Sequence, residues 1–264
     1  MRWRVFGKGE PLVLIHGGHG SWLHWIRNIE KLSRDHMLFV PDLPGFGDSD
    51  EPPAGSGIQA IVDAVTTALD ALLGAGCAVN VAGFSFGGVV AARVAVQRGS
   101  VRRMAILGSP ASGTPPRPRT PLIRWRNTDN AAQDAALRHN LLAHMMYAER
   151  NVDALAFAAY VGAIKATRFR GRGRGSAHSV PLQDILMPYT GPVLFLYGEH
   201  DVTCTPEIAK ISLTNPLADR ECRVIPGGGH WVQFECANEM NHTLAHWCGA
   251  SAAISTMATM AASS

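Results

Sequence analysis

The sequence predicts an α/β protein with a mostly parallel sheet and helices on both faces. Short runs rich in β-branched and aromatic residues alternate with longer amphipathic stretches, which is the pattern of parallel strands joined by helical crossovers. At 264 residues, 47% of them hydrophobic, the chain is long enough to bury a substantial core. The predicted strands are Leu12–Ile15, Met37–Pro41, Val79–Gly83, Met104–Leu107, Val193–Tyr197 and Cys222–Ile225. The predicted helices between them are Trp22–Ser33, Ile58–Leu73, Gly87–Gln97, Glu207–Leu213 and Trp231–Cys248.

The alternation of strands and helices is interrupted once. From about Pro110 to Pro188 no strand is predicted, and two alanine-rich helical segments, 130–150 and 152–167, precede a run of arginines and glycines. A helical insertion between two core strands is expected to lie over the carboxyl ends of the sheet, where open α/β folds bind ligands. We therefore predict a core domain of residues 1–110 and 189–249, a helical lid of residues 111–188, and a flexible tail of residues 250–264.

Charge and cysteine content narrow the possible partners and compartment. The formal net charge is only +3, which is weak support for binding to nucleic acid or to a membrane. The five cysteines are scattered without C-x-x-C spacing and indicate free thiols in a reducing compartment. The first apolar run is too short for a signal peptide or a membrane span. We expect a cytoplasmic protein with a small-molecule substrate and no nucleic acid or membrane partner, and a homodimer remains open.

The strongest local motif is G-F-S-F-G at residues 83–87. It matches G-x-S-x-G and stands between a predicted strand and a predicted helix, the context of a nucleophile elbow. The alternative is an accidental match in a glycine-rich turn. A serine alcohol is a poor nucleophile unless a base accepts its proton and a further group orients that base. Ser85 is therefore a candidate nucleophile only if a histidine and a carboxylate follow later strands.

Both partners are present in the required positions. Asp201 follows the strand Val193–Tyr197, and His230 follows the strand Cys222–Ile225 in P-G-G-G-H-W. The chain order serine, aspartate, histidine is the one that accompanies a G-x-S-x-G elbow. Glu199 and Asp219 are rival carboxylates, but Glu199 precedes the expected position and Asp219 precedes the last strand.

An oxyanion that forms at Ser85 needs backbone N–H donors. The residue after the nucleophile, Phe86, supplies one candidate, and Gly18 in L-V-L-I-H-G-G-H-G supplies the other. The same glycine-rich turn could cradle a phosphate, but it lacks both G-x-G-x-x-G and a G-K-[ST] ending. We predict an oxyanion hole and no phosphate site.

These stretches resemble the α/β-hydrolase superfamily over residues 11–247. The matching segments are H-G-G-H-G-S-W, D-L-P-G-F-G-D-S-D, G-F-S-F-G-G, G-E-H-D and G-G-H-W-V-Q-F-E. The resemblance implies an α/β-hydrolase fold with a helical lid inserted after the sixth strand and catalysis by Ser85, His230 and Asp201 without a cofactor or metal. Trp22, Arg27-Asn28-Ile29 and H-W-V-Q-F-E look most like the meta-cleavage-product hydrolases, which cut carbon–carbon bonds in ring-opened aromatic compounds. Compared with relatives, the sequence is expected to omit the usual first strand or two.

The sequence departs from those hydrolases at several positions. Phe84 and His24 stand where the family tends to carry asparagines, and the lid arginine that holds a substrate carboxylate has only Arg168 and Arg170 as candidates. The Gly/Arg run that contains these arginines otherwise reads as a solvated loop or hinge. The predicted substrate contacts are Gly17, His19, Phe84, Trp231 and Arg168.

Three functions are compatible with these residues. The first is a serine hydrolase that cleaves small to medium carboxylic esters through an acyl-enzyme. The second is carbon–carbon hydrolysis of vinylogous diketones, for which Phe84 is an unfavourable neighbour of the nucleophile. The third is a ligand receptor built on the same fold, which the intact triad disfavours. Haloalkane dehalogenases and fold-related epoxide hydrolases use an aspartate where Ser85 stands and are disfavoured for that reason.

Overall fold

Seven strands form one sheet in the computed structural model, which describes residues 1–110, 120–126, 129–169, 180–214 and 219–249. Their spatial order is β1-β3-β2-β4-β5-β6-β7; β1 is antiparallel to β3, and all other neighbours are parallel. The strands are β1 (Arg2–Phe6), β2 (Glu10–Ile15), β3 (His36–Asp42), β4 (Val79–Phe84), β5 (Val101–Leu107), β6 (Val193–Gly198) and β7 (Arg220–Ile225). The predicted mostly parallel sheet is confirmed.

The edge strand β1 was not predicted. It pairs with β3 from Arg2 opposite Asp42 to Phe6 opposite Leu38. Its side chains are partly or fully exposed, so the strand lacks the continuous apolar run by which the buried parallel strands were recognised. A strand therefore precedes β2, where the sequence analysis predicted none.

Nine helices occur in the described ranges. They are α1 (Ile26–Leu32), α2 (Ile58–Leu73), α3 (Phe86–Arg98), α4 (Asn130–His144), α5 (Ala154–Ala166), α6 (Leu182–Ile185), α7 (Pro206–Leu213), α8 (Val232–Glu235) and α9 (Ala237–Gly249). Short 3-10 helices precede α1 and α5, at Trp22–Trp25 and Glu149–Asn151. The predicted helix Trp22–Ser33 is thus a 3-10 turn followed by α1, and the predicted helix Trp231–Cys248 is divided into α8 and α9.

The core consists of two apolar layers, one on each face of the sheet. Strand alternation places Val13 and Ile15 on the face covered by α2, α3 and α7, and Leu12 and Leu14 on the face covered by α1, α8 and α9. Both faces of β2, β3, β4, β5 and β6 are therefore largely buried, which explains the near-continuous apolar runs in the sequence, whereas the edge strand β7 exposes Glu221 and Arg223.

The segment between β5 and β6 contains α4, α5 and α6. It follows the fifth strand along the chain, so the prediction that an insertion follows a sixth strand is wrong, because residues 1–110 contain five strands. Asp129 and Asp153 cap α4 and α5 by accepting hydrogen bonds from Ala132 N and Ala156 N at 2.9 and 2.8 Å. Helices α4 and α5 contribute to the α1/α8/α9 layer, whereas Leu182 of α6 packs in the opposite layer with α3. The predicted tail, 250–264, lies outside the described residues.

Candidate active site

Ser85 occupies a sharp turn between β4 and α3. Its φ of 52° and ψ of −117° are unfavourable for a residue with a side chain. A Cβ on Gly83 would lie 2.4 Å from Gly87 O, and a Cβ on Gly87 would lie 2.3 Å from His16 O. Side chains are therefore excluded at the positions two residues before and two residues after Ser85, which explains the spacing of the two glycines. The turn is held by bonds from Ser85 N to Leu107 O at 2.7 Å and from the Ser109 hydroxyl to Ser85 O at 2.6 Å.

The structure brings Ser85, His230 and Asp201 into one hydrogen-bonded line. His230 Nε2 lies 3.1 Å from Ser85 Oγ, and His230 Nδ1 lies 3.0 Å from each carboxylate oxygen of Asp201. The aspartate is fully buried, the histidine is nearly so, and Ser85 is partly exposed. A carboxylate at Nδ1 retains the proton there, so Nε2 is left as the acceptor that faces the serine hydroxyl.

Thr203 is a partner of Asp201 that the sequence analysis missed. Its backbone N–H and its hydroxyl both donate to Asp201 Oδ1, at 2.8 and 2.7 Å, and the hydroxyl oxygen also lies 3.2 Å from His230 Nδ1. Burial acts to raise the pKa of Asp201, but His230 and the two bonds from Thr203 outweigh burial, so the pKa is lowered overall. Asp201 therefore stays ionised beside the imidazole.

The two rival carboxylates have other environments. Glu199 accepts a hydrogen bond from Gly227 N at 2.9 Å, and its side chain is about half exposed. Asp219 lies in the turn before β7 with a φ of 50°, and its carbonyl accepts from Val193 N. Asp201 is the one of the three whose carboxylate reaches His230.

The loop after β2 lies beside the turn that carries Ser85. Gly18 is exposed, and a Cβ placed on it would lie 3.6 Å from the Cβ of Phe86, so the two candidate oxyanion donors are neighbours. Neither amide donates a hydrogen bond to another residue in the described part of the chain. His19 is exposed on the same loop with a φ of 55°.

Gly17 does not have the role predicted for it. Its N–H donates to His24 Nδ1 at 3.2 Å, and its carbonyl accepts from Gly20 N at 3.2 Å. His16 Nδ1 also lies 2.7 Å from this carbonyl. Gly17 is buried and its polar groups are already engaged, so the predicted substrate contact is not supported; Gly17 stabilises the loop instead.

His24 is a buried neutral imidazole beneath this loop. Because Nδ1 accepts from Gly17 N, its proton resides on Nε2. Burial, followed by the nearby His16 and His230, lowers the pKa of His24 well below 6.5. A Cβ on Gly20 would lie 2.2 Å from the His24 ring, so the glycine leaves the space that the imidazole occupies.

Two aromatic residues predicted to contact substrate are buried supports instead. The Phe84 ring is 1% exposed and lies between His230 and His24, with ring centroids 4.9 and 5.2 Å away. Trp231 is fully buried, stacks on Phe234 at 4.2 Å, and donates from Nε1 to His24 O at 2.9 Å. Adjacency in sequence to Ser85 and His230 led to the predictions, but both rings point into the α1/α8/α9 layer.

Arg168 is also directed away from the role predicted for it. Its guanidinium donates to the carbonyls of Gly47 and Ser49 and lies 3.6 Å from a Glu51 carboxylate oxygen. These acceptors hold the arginine on the turn that follows β3, so the guanidinium is not available for a substrate carboxylate. The other candidate, Arg170, lies outside the described residues.

Three phenylalanines cluster beside the elbow, and two of them were missed. Phe46, Phe86 and Phe169 have ring centroids 5.5 to 6.3 Å apart. Phe169 is held there because its N–H and that of Arg168 donate to Gly45 O. Phe169 belongs to the Gly/Arg run, whose charged neighbours indicated a solvated loop rather than an apolar contact.

The described residues include no group of three histidine, cysteine or acidic side chains that could hold a metal ion. No helix within those ranges is long and apolar enough to cross a bilayer.

Comparisons with known proteins place the chain among known hydrolases. A family model described as the alpha/beta hydrolase family matches residues 12–243. The chain is 27% identical to 2-hydroxy-6-oxo-2,4-heptadienoate hydrolase from Pseudomonas putida over 244 residues, which cover 87% of this chain and 85% of that protein. A shorter alignment at 39% identity covers 38% of this chain and 38% of (E)-2-((N-methylformamido)methylene)succinate hydrolase from Acinetobacter baylyi.

Two solved structures share the fold. The thermophilic esterase from Thermogutta terrifontis has a TM-score of 0.71 at 22% identity, covering 93% of this chain and 92% of that one. The meta-cleavage product hydrolase from Pseudomonas fluorescens IP01 has a TM-score of 0.68 at 22% identity, covering 94% of each chain. The predicted resemblance to esterases and meta-cleavage-product hydrolases is confirmed.

Proposed function

Because the chain belongs to the alpha/beta hydrolase family, we propose that this hydrolase cleaves small to medium carboxylic esters, with Ser85 as nucleophile, His230 as general base and Asp201 as the residue that orients the imidazole. The observation that carries the proposal is the line of hydrogen bonds from Ser85 Oγ through His230 to Asp201. The hydroxyl lies within proton-transfer reach of the imidazole, and the imidazole is held in the required tautomer.

Acylation begins when Ser85 Oγ attacks the ester carbonyl carbon and His230 Nε2 takes the hydroxyl proton. The carbonyl oxygen becomes an oxyanion, for which the N–H groups of Gly18 and Phe86 are the proposed donors. Collapse of the tetrahedral intermediate breaks the bond to the alcohol oxygen, and His230 protonates the departing alcohol. The imidazolium that exists between these steps is stabilised by the ionised Asp201.

Deacylation repeats the same proton transfers with water as the nucleophile. His230 removes a proton from water, the resulting tetrahedral intermediate expels Ser85 Oγ, and His230 returns the proton to the serine. The products are a carboxylic acid and the free enzyme, so no cofactor enters the balance.

The aromatic cluster of Phe46, Phe86 and Phe169 favours an apolar acyl group. These rings lie beside the elbow and come from the β3–α2 turn, the start of α3 and the segment between β5 and β6. Each additional buried methylene contributes about 0.8 kcal/mol, or roughly fourfold in specificity constant if the gain is realised in the transition state. The catalytic efficiency is therefore expected to rise from acetyl to butyryl esters.

Carbon–carbon hydrolysis of vinylogous diketones is the second candidate. Similarity to the Pseudomonas putida hydrolase named for 2-hydroxy-6-oxo-2,4-heptadienoate favours it. The apolar Phe84 and the engaged Arg168 count against it, because protonation of a carbanionic leaving group and binding of a carboxylate both need polar partners.

One set of measurements tests both candidates. The protein and its Ser85→Ala variant are assayed with p-nitrophenyl acetate and butyrate, and with a 2-hydroxy-6-oxo-dienoate whose loss is followed by visible absorbance. A fluorophosphonate should add one adduct at Ser85, as seen by intact mass, and Ser85→Ala should lose both the adduct and at least about a thousandfold in kcat. Ser33→Ala is the matched control. Activity of Ser85→Ala within about tenfold of the parent would refute the nucleophile, and faster turnover of the dienoate would favour the second candidate.

A further inference from the structure

The Glu235 carboxylate, at the end of α8, joins the loop of His230 to the segment between β5 and β6. Its Oε2 accepts from Gly229 N at 2.8 Å, and Gly229 immediately precedes His230. Its Oε1 accepts from Ala148 N at 2.9 Å and from Asn151 Nδ2 at 2.9 Å, and Tyr147 N lies 3.0 and 3.1 Å from the two oxygens. Four donors from two distant parts of the chain therefore converge on one anion.

Residues 144–151, which we call the brace, contact both loops that carry Asp201 and His230. Met145 O accepts from Trp231 N at 2.7 Å, and the His144 ring lies 5.4 Å from that of His230. The Tyr147 ring stacks at 3.5 Å on His200, the residue before Asp201. The brace thus contacts the residues on both sides of His230 in sequence and the neighbour of Asp201.

Backbone approach at Gly229 leaves no room between the brace and the histidine loop. A Cβ on Gly229 would lie 2.6 Å from Tyr147 N, 2.8 Å from Met146 C and 2.9 Å from Glu235 Oε2. The absence of a side chain lets the two backbones share the same carboxylate. A displacement of the brace is consequently transmitted to the peptide bond that precedes His230.

From these contacts we propose that Glu235 is a positioning residue that fixes the His230 loop to the brace, so that His230 is aligned with Ser85 only while residues 144–151 are seated. This inference rests on the proposed role of His230 as general base. The separation of 3.1 Å between His230 Nε2 and Ser85 Oγ is near the upper end of proton-transfer reach, so a small shift of the loop removes the contact. Seating of the segment between β5 and β6 then brings His230 into line with Ser85.

A carboxylate is suited to this position because it only accepts hydrogen bonds. A glutamine would place an NH₂ group against some of the four donors and would leave at least one backbone N–H without its acceptor. Glu235→Gln is therefore nearly isosteric but breaks one side of the connection. Asn151→Ala removes a single bond on the brace side and leaves the carboxylate intact.

The experiment compares Glu235→Gln and Asn151→Ala with Glu239→Gln, an exposed carboxylate in the first turn of α9 that undergoes the same charge change. Steady-state kinetics on p-nitrophenyl butyrate and hydrogen exchange of residues 144–151 and 227–231 are measured well below the melting temperature. Because misplacement of a catalytic group by about 1 Å can cost on the order of a hundredfold, we expect kcat of Glu235→Gln to fall roughly ten- to a hundredfold, with KM within about twofold. Exchange should accelerate in both segments, less in Asn151→Ala and not in Glu239→Gln.

The outcomes separate the inference from the proposed function. If Glu235→Gln lowers the melting temperature but leaves kcat unchanged, Glu235 is only structural and the inference is wrong. Exchange that accelerates in one segment alone also overturns it, since the two segments would not be joined. If the parent protein neither hydrolyses esters nor labels at Ser85, the proposed function fails, whereas joint exchange of the two segments still reports whether Glu235 connects them.

Discussion

Replacing Thr203 by valine tests how strongly the environment of Asp201 controls catalysis by His230. The substitution keeps the β-branched shape and the backbone N–H bond of 2.8 Å but removes the hydroxyl that donates to Asp201 Oδ1 at 2.7 Å. A hydrogen bond to a charged group contributes roughly 1.5–3 kcal/mol, and about 1.4 kcal/mol corresponds to a tenfold change in rate. The carboxylate retains both contacts with His230, so we expect the low end of this range, a loss of about tenfold in kcat/KM.

The pH dependence provides a second readout of the same change. The hydroxyl is one of the groups that lower the pKa of Asp201, so the pKa should be higher in Thr203→Val. An aspartate with a lowered pKa in the folded state adds stability above its unfolded pKa and loses that stability as pH falls through its folded pKa. Both the acid limb of kcat/KM and acid-induced unfolding of the variant should therefore move to higher pH.

The assay uses p-nitrophenyl butyrate across the acid range, with unfolding followed by circular dichroism. Thr214→Val is the matched control, because its exposed hydroxyl donates to Lys210 O at the end of α7, away from Asp201. If Thr203→Val and Thr214→Val have the same kcat/KM within twofold and the same acid limb, the hydroxyl has no role in holding Asp201 and the reasoning is refuted.

Substitutions at five further residues test other parts of the site. Asp201→Asn should lower kcat by about ten-thousandfold because an amide favours the wrong imidazole tautomer, while Glu199→Gln should be nearly silent; the reverse result in parallel kinetics would identify Glu199 as the orienting residue. His24→Leu should lower kcat by a larger factor than it changes KM, because it leaves the buried Gly17 N–H without an acceptor. His24→Asn should restore part of the rate if the hydrogen bond accepted from Gly17 is what matters. Because the pKa of His24 is lowered in the folded state, protonation of this residue favours the unfolded chain. His24 should therefore lower the free energy of unfolding of the parent as pH falls below about 6.5, and this contribution should be absent from thermal melts of His24→Leu. Phe84→Leu should lower kcat without altering the ratio of butyrate to acetate turnover, whereas Phe86→Leu should alter that ratio; equal effects on the ratio would contradict the different positions of the two rings.

The features that could be predicted from the sequence are those encoded locally. Apolar runs marked the six parallel strands of the sheet, and α2 was predicted with the bounds that the structure has, because its buried residues recur on one helical stripe. The positions of Ser85, Asp201 and His230 followed from a glycine-flanked turn and from the ends of two later strands. The carboxyl ends of parallel strands meet at one edge of the sheet, so these three residues could be expected to meet as well.

Contacts between distant segments could not be predicted in this way. Trp231 donates to His24 O across 207 residues, and Glu235 contacts residues 84 to 88 positions earlier. Both residues belong to the quoted stretch G-G-H-W-V-Q-F-E, which identifies the region but carries no information about which side chains face the brace. Arg168 shows the same limit, because its partners in the turn after β3 are about 120 positions away.

Unlike these long-range contacts, the facing of Phe84 could have been predicted from the alternation of side chains along β4. Val79 and Val81 pack on the face of β4 covered by α2 and α3, so the alternating residues Ala82 and Phe84 both face the opposite layer. Phe86 begins α3 and turns toward the first layer, where it meets Phe46 and Phe169. The two phenylalanines beside Ser85 are therefore separated by the sheet itself. The Phe84 ring packs against the imidazole of His230, and the Phe86 ring lies where we propose that the acyl group binds. Substitutions one residue on either side of the nucleophile should therefore affect different steps.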